Sequence, residues 1–222
     1  MNKKTCLLSV AFAALFSSYT NAAIVSQMGD DVVFTYDDST LFGSGIVVGN
    51  TINFNPVNFR AEVIPGFGVD NATDTLNIDI TVKNGSTFSL DKIVTTENGD
   101  YSLFGSGSFV SASLFTQVDS NNVAGAQNTE LVQTGNITAP QDGSTNLWNL
   151  SNMNDWDWEG ETSITFTIQN NLTALAGDQE FAWIQKKDAS IGIDVQVVPL
   201  PAAAWFMLSA LTGLFVSRKV LR

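Results

Sequence analysis

The run Asn154-Asp155-Trp156-Asp157-Trp158-Glu159-Gly160-Glu161 places acids at 155, 157, 159 and 161 and tryptophans at 156 and 158. In an extended chain the acids share one face and both indoles the other. Carboxylates at alternate positions are the ligand type a hard cation such as calcium requires. Asp155, Asp157 and Glu159 are therefore the candidate metal ligands. They also echo the start of an EF-hand loop, but its twelfth position is Phe166, which has no carboxylate to offer. The run commits to no metal, and no other cofactor is implied. The competing reading is a strand with a solvated acidic edge and its tryptophans in the core.

Trp148, Trp156 and Trp158 lie within eleven residues. Exposed indoles on a β-sheet can form flat platforms for sugar rings, with neighbouring Asn and Asp taking the hydroxyls. Burial is the commoner fate of tryptophan, because indole contributes a large apolar area to a core. A pair of carboxyls for glycoside hydrolysis needs about 5–10 Å of separation in a cleft. With 22 acids in the chain, no motif selects one such pair, so catalysis is not expected.

Other chemistry is excluded by composition. The 222 residues include no histidine, which removes the commonest general base and metal ligand. The one cysteine, Cys6, falls in a segment expected to be cleaved, leaving no thiol for a disulfide or a zinc site. All 22 acids lie between the two ends of the chain, against five bases there: Arg60, Lys83, Lys92, Lys186 and Lys187. Such a body repels phosphate backbones, so nucleic acid is not a partner.

Period-two alternation dominates from Ile24 to about Val198 and predicts the elements that carry these residues. Leu76, Ile78, Ile80 and Val82 alternate with Asn77, Asp79, Thr81 and Lys83. The same pattern recurs at Val32-Phe34-Tyr36, Ile164-Phe166-Ile168 and Ile191-Ile193-Val195-Val197. Turn signals stand at Gly49-Asn50, Asn84-Gly85, Asn98-Gly99, Gly135-Asn136 and Asp142-Gly143. Asn170 to Gly177 is read as one short helical turn. Leu-Phe-Gly-Ser-Gly occurs at 41–45 and again at 103–107, reading as two related hairpins that each pack a phenylalanine and bend at the glycines. Ten to twelve strands spaced this way predict an all-β fold, an antiparallel, jelly-roll-like β-sandwich over residues 23–197.

The two ends read as targeting segments. Lys3-Lys4, the apolar run Cys6 to Phe16 and the small-x-small Thr20-Asn21-Ala22 predict a signal peptide, residues 1–22, forming a helix and cut after Ala22. The other end reads Val198-Pro199-Leu200-Pro201-Ala202, continues apolar to Val216, and closes on Arg218-Lys219. It reads as a single, short transmembrane helix. Ala202 to Val216 spans about 22 Å in that form, short of the roughly 30 Å bilayer core. Arg218 and Lys219 stop transfer and stay cytoplasmic.

The motif, the short apolar helix with Gly213 and the basic cluster together resemble the PEP-CTERM sorting signal in its VPLPA variant, over residues 198–222. The segments Phe34 to Gly43, Gly49 to Pro56 and Glu97 to Tyr101 are loosely similar to stretches in the bodies of such proteins. The resemblance implies a Gram-negative bacterium and cutting of the motif by an exosortase, a membrane-embedded cysteine peptidase and transpeptidase. It implies an inner-membrane intermediate, then a non-enzymatic protein at the cell surface or outside the cell, associated with exopolysaccharide or biofilm. The alternative is a secreted carbohydrate-binding module or carbohydrate-active enzyme.

Overall fold

A computed structural model describes residues 23–198 apart from Phe67 and Ser86. The signal peptide with its cleavage point at Ala22, and the tail from Pro199 through Leu200, Pro201 and Ala202 to Arg218 and Lys219, lie outside the described residues. Twelve strands run through them: β1 (Ile24–Met28), β2 (Val32–Asp37), β3 (Ile46–Val48), β4 (Thr51–Phe54), β5 (Arg60–Val63), β6 (Gly68–Val82), β7 (Phe88–Phe104), β8 (Phe109–Ser120), β9 (Gln127–Gln133), β10 (Asp142–Asp155), β11 (Ser163–Ala176) and β12 (Phe181–Val197). The described residues contain no helix long and apolar enough to cross a membrane.

The strands form two antiparallel sheets with one shared core. The first has the order β1-β2-β6-β11-β8-β9. The second has the order β10-β7-β12-β4-β3, with β5 also paired to β12. From β5 onward the chain crosses repeatedly between sheets, so neighbours in sequence often face each other across the core.

Alternation produces this packing directly. Leu76, Ile78 and Ile80 on β6 stand opposite Ile168, Phe166 and Ile164 on β11. Phe34 and Tyr36 on β2 extend the same layer, opposite Ile80 and Ile78. All eight are essentially shielded from solvent, and each large apolar one contributes about 1.5–3 kcal/mol by leaving water. The outward residues of the same strands pair as a polar ladder: Thr165 with Asp79, Thr167 with Asn77 and Thr173 with Asn71, at 2.7–2.8 Å.

Four local expectations are corrected. Asn170 to Gly177 is not a helical turn: through Ala176 it continues β11, because Asn170, Leu172, Ala174 and Ala176 keep the inward alternation. Asn98-Gly99 lies inside β7 instead of turning, for a packing reason given below. Asp142-Gly143 lies within β10, where the register shifts between Asp142 and Thr145 and Gly143 takes a positive φ of 80°. The two Leu-Phe-Gly-Ser-Gly copies diverge: Phe42 is buried between Phe54 and Phe59, whereas Phe104 is exposed and stacks on Phe181.

Candidate functional site

The 154–161 run begins on β10 and leaves it at Asp155. Trp156 to Trp158 are irregular, and Glu159-Gly160 form a turn in which Gly160 has φ 74°. The two indoles do fall on one side. They stack with centroids 5.7 Å apart and planes 23° from parallel. Both are half-buried against the edge of the core. Asp155, Asp157, Gln127 and Asn128 complete a shallow groove of about 390 Å³ around them.

Beneath this groove a chain of amides ties the sheet edges together. Asn152 Nδ2 donates to Thr116 Oγ1, whose hydroxyl donates to Asn154 Oδ1. Asn154 Nδ2 donates to Asn128 Oδ1, and Asn128 Nδ2 to the Asp155 carbonyl. Strands β8, β9 and β10 are thus joined under the tryptophans by satisfied polar groups, which fixes their positions. The Trp156 indole N–H is buried with no protein acceptor, a donor that an ordered water or a ligand oxygen would satisfy.

The acids do not behave as one set. Asp155, Asp157 and Glu159 are exposed, whereas Glu161 is buried. Glu161 accepts hydrogen bonds from the Ser120 hydroxyl and, at 3.1 Å, from the Ser163 N–H. Glu161 follows the turn at Gly160 and faces inward, and Glu159 lines a separate depression with Ser89 and Gln196, so the expected four-acid face is corrected to Asp155 and Asp157 beside the tryptophans. Among the described residues no group of three or more acids is placed to hold a metal ion.

Trp148 is separated from the other two tryptophans. It is 5% exposed, and its indole N–H donates to the Gln185 carbonyl at 3.1 Å. The three-tryptophan platform is therefore corrected to a pair, Trp156 and Trp158. Trp148 lines a different depression of about 480 Å³, with Asn98, Asp100, Asn149 and Lys187.

A second polar cluster was not anticipated. Lys186 on β12, Glu97 on β7 and Asn170 on β11 meet between the sheets, with exposures of 0%, 0% and 1%. Lys186 Nζ lies 2.7 Å from Glu97 Oε1 and also donates to Asn170 Oδ1. Asn170 Nδ2 donates to Glu97 Oε2 at 2.7 Å and to the Ser113 carbonyl at 3.2 Å. The rings of Phe42 and Phe59 lie 4.6 and 4.8 Å from Nζ.

Burial pushes the Lys186 pKa down to about 8, against the opposing pull of Glu97. Burial likewise raises the Glu97 carboxyl, offset in part by Lys186 and Asn170. Both shifts favour the neutral forms. The signal for this cluster was present in the sequence, because each residue sits at an inward place of an alternating strand. Lys186 follows Ala182 and Ile184, Glu97 follows Ile93 and Thr95, and Asn170 follows Ile164, Phe166 and Ile168.

No family model matches the chain, and no curated protein does. Among solved structures, it is similar to TmCBM61 in complex with beta-1,4-galactotriose, at 8% identity and a TM-score of 0.22, covering 80% of this chain and 90% of that one. It is also similar to the Gt strain structure of infectious bursal disease virus, at 11% identity and a TM-score of 0.20, covering 82% of this chain and 48% of that one. Scores this low transfer neither a fold family nor a ligand.

Proposed function

We propose that the chain is an exported, non-enzymatic protein of the bacterial surface or extracellular matrix, with a jelly-roll-like body and a tail cut by an exosortase-type peptidase. The observation that carries this reading is the junction between body and motif. Strand β12 runs to Val197, the residue before Val198-Pro199-Leu200-Pro201-Ala202. The Val198 N–H is still held by the Thr87 carbonyl at 2.7 Å. A cut within the motif would leave every described strand intact. In this reading the signal peptide directs export and the apolar tail holds the chain in the inner membrane until cutting, with Arg218 and Lys219 inside.

The absence of catalysis on any outside substrate is part of the proposal. A glycosidase acid is tuned by enclosure in an apolar site, whereas Asp155 and Asp157 in the tryptophan groove are exposed. Glu97 and Glu161 are enclosed, but they face the protein's own interior. Fractionation of the native host tests the proposal. The wild-type chain is expected in the surface or matrix fraction, and a chain lacking 202–222 in the medium. Unchanged distribution after the deletion would overturn it.

A second reading is supported by the stacked Trp156–Trp158 pair: the groove is a contact for exopolysaccharide. Half-exposed indole faces beside amides and carboxylates are the surface chemistry that sugar rings and hydroxyls fit.

A further inference from the structure

A lysine, a carboxyl and a carboxamide in mutual contact inside an apolar core form a set of reactants as well as a structural network. The Lys186 amine is hydrogen-bonded to Asn170 Oδ1, one covalent bond from the Asn170 Cγ carbon. Glu97 touches both ends of the reaction: Oε1 contacts Lys186 Nζ at 2.7 Å, and Oε2 accepts from Asn170 Nδ2 at 2.7 Å. All three side chains are excluded from solvent, with Phe42 and Phe59 against the amine. We propose that Lys186 and Asn170 become joined by an intramolecular isopeptide bond, with Glu97 as the catalytic residue that transfers the protons.

The step balances without an outside reagent. Glu97 carboxylate takes one proton from the Lys186 ammonium. The freed Nζ lone pair forms a bond to Asn170 Cγ, giving a tetrahedral centre. Glu97 relays a proton from Nζ to Nδ2, and the Cγ–Nδ2 bond breaks. Ammonia leaves, and Glu97 remains as the neutral acid. Nothing is oxidised or reduced, and total charge is unchanged.

The surroundings favour each part. Burial lowers the Lys186 pKa to about 8, which raises the fraction present as the nucleophilic amine. Burial also favours the neutral Glu97 that the reaction leaves behind. Fixed contact between the groups replaces a bimolecular encounter, which is worth effective molarities of about 10⁵ M or more when the geometry is right. Exclusion of water suppresses competing hydrolysis of Asn170.

The bond would join β11 in one sheet to β12 in the other, closing a segment with ends 16 residues apart. It supplies a covalent staple between the two layers of a body with no cysteine. The inference depends on neither the sorting tail nor the sugar contact.

Peptide mapping of the full chain tests it. Glutamyl cleavage after Glu161 and Glu180 places Asn170 in fragment 162–180, and trypsin cuts after Lys186 and Lys187. The expected product from wild type is 162–180 joined to 181–187, uncut at Lys186 and about 17 Da lighter than the two fragments together, the mass of one ammonia. The Lys186→Arg chain is expected to give separate fragments at full mass. A Glu97→Gln chain with the wild-type circular dichroism spectrum is expected to do the same, and continued linkage in that chain would overturn the role of Glu97. Free 162–180 from wild type, with Asn170 intact or hydrolysed, together with cleavage after Lys186, would overturn the bond. The wild-type digest decides even where a variant does not fold.

Discussion

Trp148 on β10 stands directly opposite Gly99 on β7, and its indole passes over that glycine to reach the Gln185 carbonyl on β12. A Cβ at position 99 would lie 1.9 Å from the Gln185 oxygen and 2.6 Å from the indole nitrogen. Three strands of the second sheet are therefore pinned through a position that tolerates no side chain. This is why Asn98-Gly99, a turn signal by composition, lies within a continuous strand.

Gly99→Ala is expected to destabilise the body by about 2–3 kcal/mol, since overpacking outweighs the smaller entropic gain of replacing glycine. Urea unfolding followed by tryptophan fluorescence measures it. An unchanged midpoint would show that Trp148 is not held as described.

Millimolar calcium is expected to leave the melting temperature unchanged within about a degree, since only a ligand that binds the native state raises it. Asp155, Asp157 and Glu159 point to solvent and Glu161 is committed to Ser120 and Ser163. A calcium-dependent rise that Asp157→Ala abolishes would restore the cation site.

Trp158→Ala is expected to weaken binding to exopolysaccharide from the native host at least tenfold, about 1.4 kcal/mol. The fold should survive, because Trp158 is half-buried at the core's edge. Co-sedimentation with the polysaccharide reads this directly. Equal binding by wild type and variant would remove the groove from the account.

The strands were legible because apolar and polar residues alternate without interruption, as in Leu76 to Val82 and Ile164 to Ile168. The same rule contained the buried cluster, since Lys186 follows Ala182 and Ile184 in the inward register. A single charged residue at an inward position is weak evidence until its partners are known. Glu97 and Asn170 lie 89 and 16 residues away, and only the pairing of sheets brings them to it. The bulge between Lys186 and Asp188 was equally hidden: it resets the alternation so that Ala189, not Asp188, faces the core. The tryptophans were misgrouped because nearness in sequence says nothing about where a strand ends. Trp148 lies mid-strand, whereas Trp156 and Trp158 lie beyond the end of β10.

Replacing both Pro199 and Pro201 by alanine is expected to leave export intact while retaining uncut protein in the inner membrane. Proline has no N–H to donate and restricts the residue before it, and alanine removes both properties from the motif. Immunoblotting of membrane and surface fractions checks this. A double variant trimmed like wild type would show that the prolines are not the recognised feature.

The central claim is that the sandwich is the durable part of an exported chain processed at both ends. Intact-mass measurement of the protein recovered from its native host tests this most directly. The account predicts a species that starts after Ala22 and ends within Val198 to Ala202, with or without an attached surface group at the new carboxyl end. A mature protein whose mass retains the apolar run through Val216 and the basic end at Arg218 and Lys219 would contradict it.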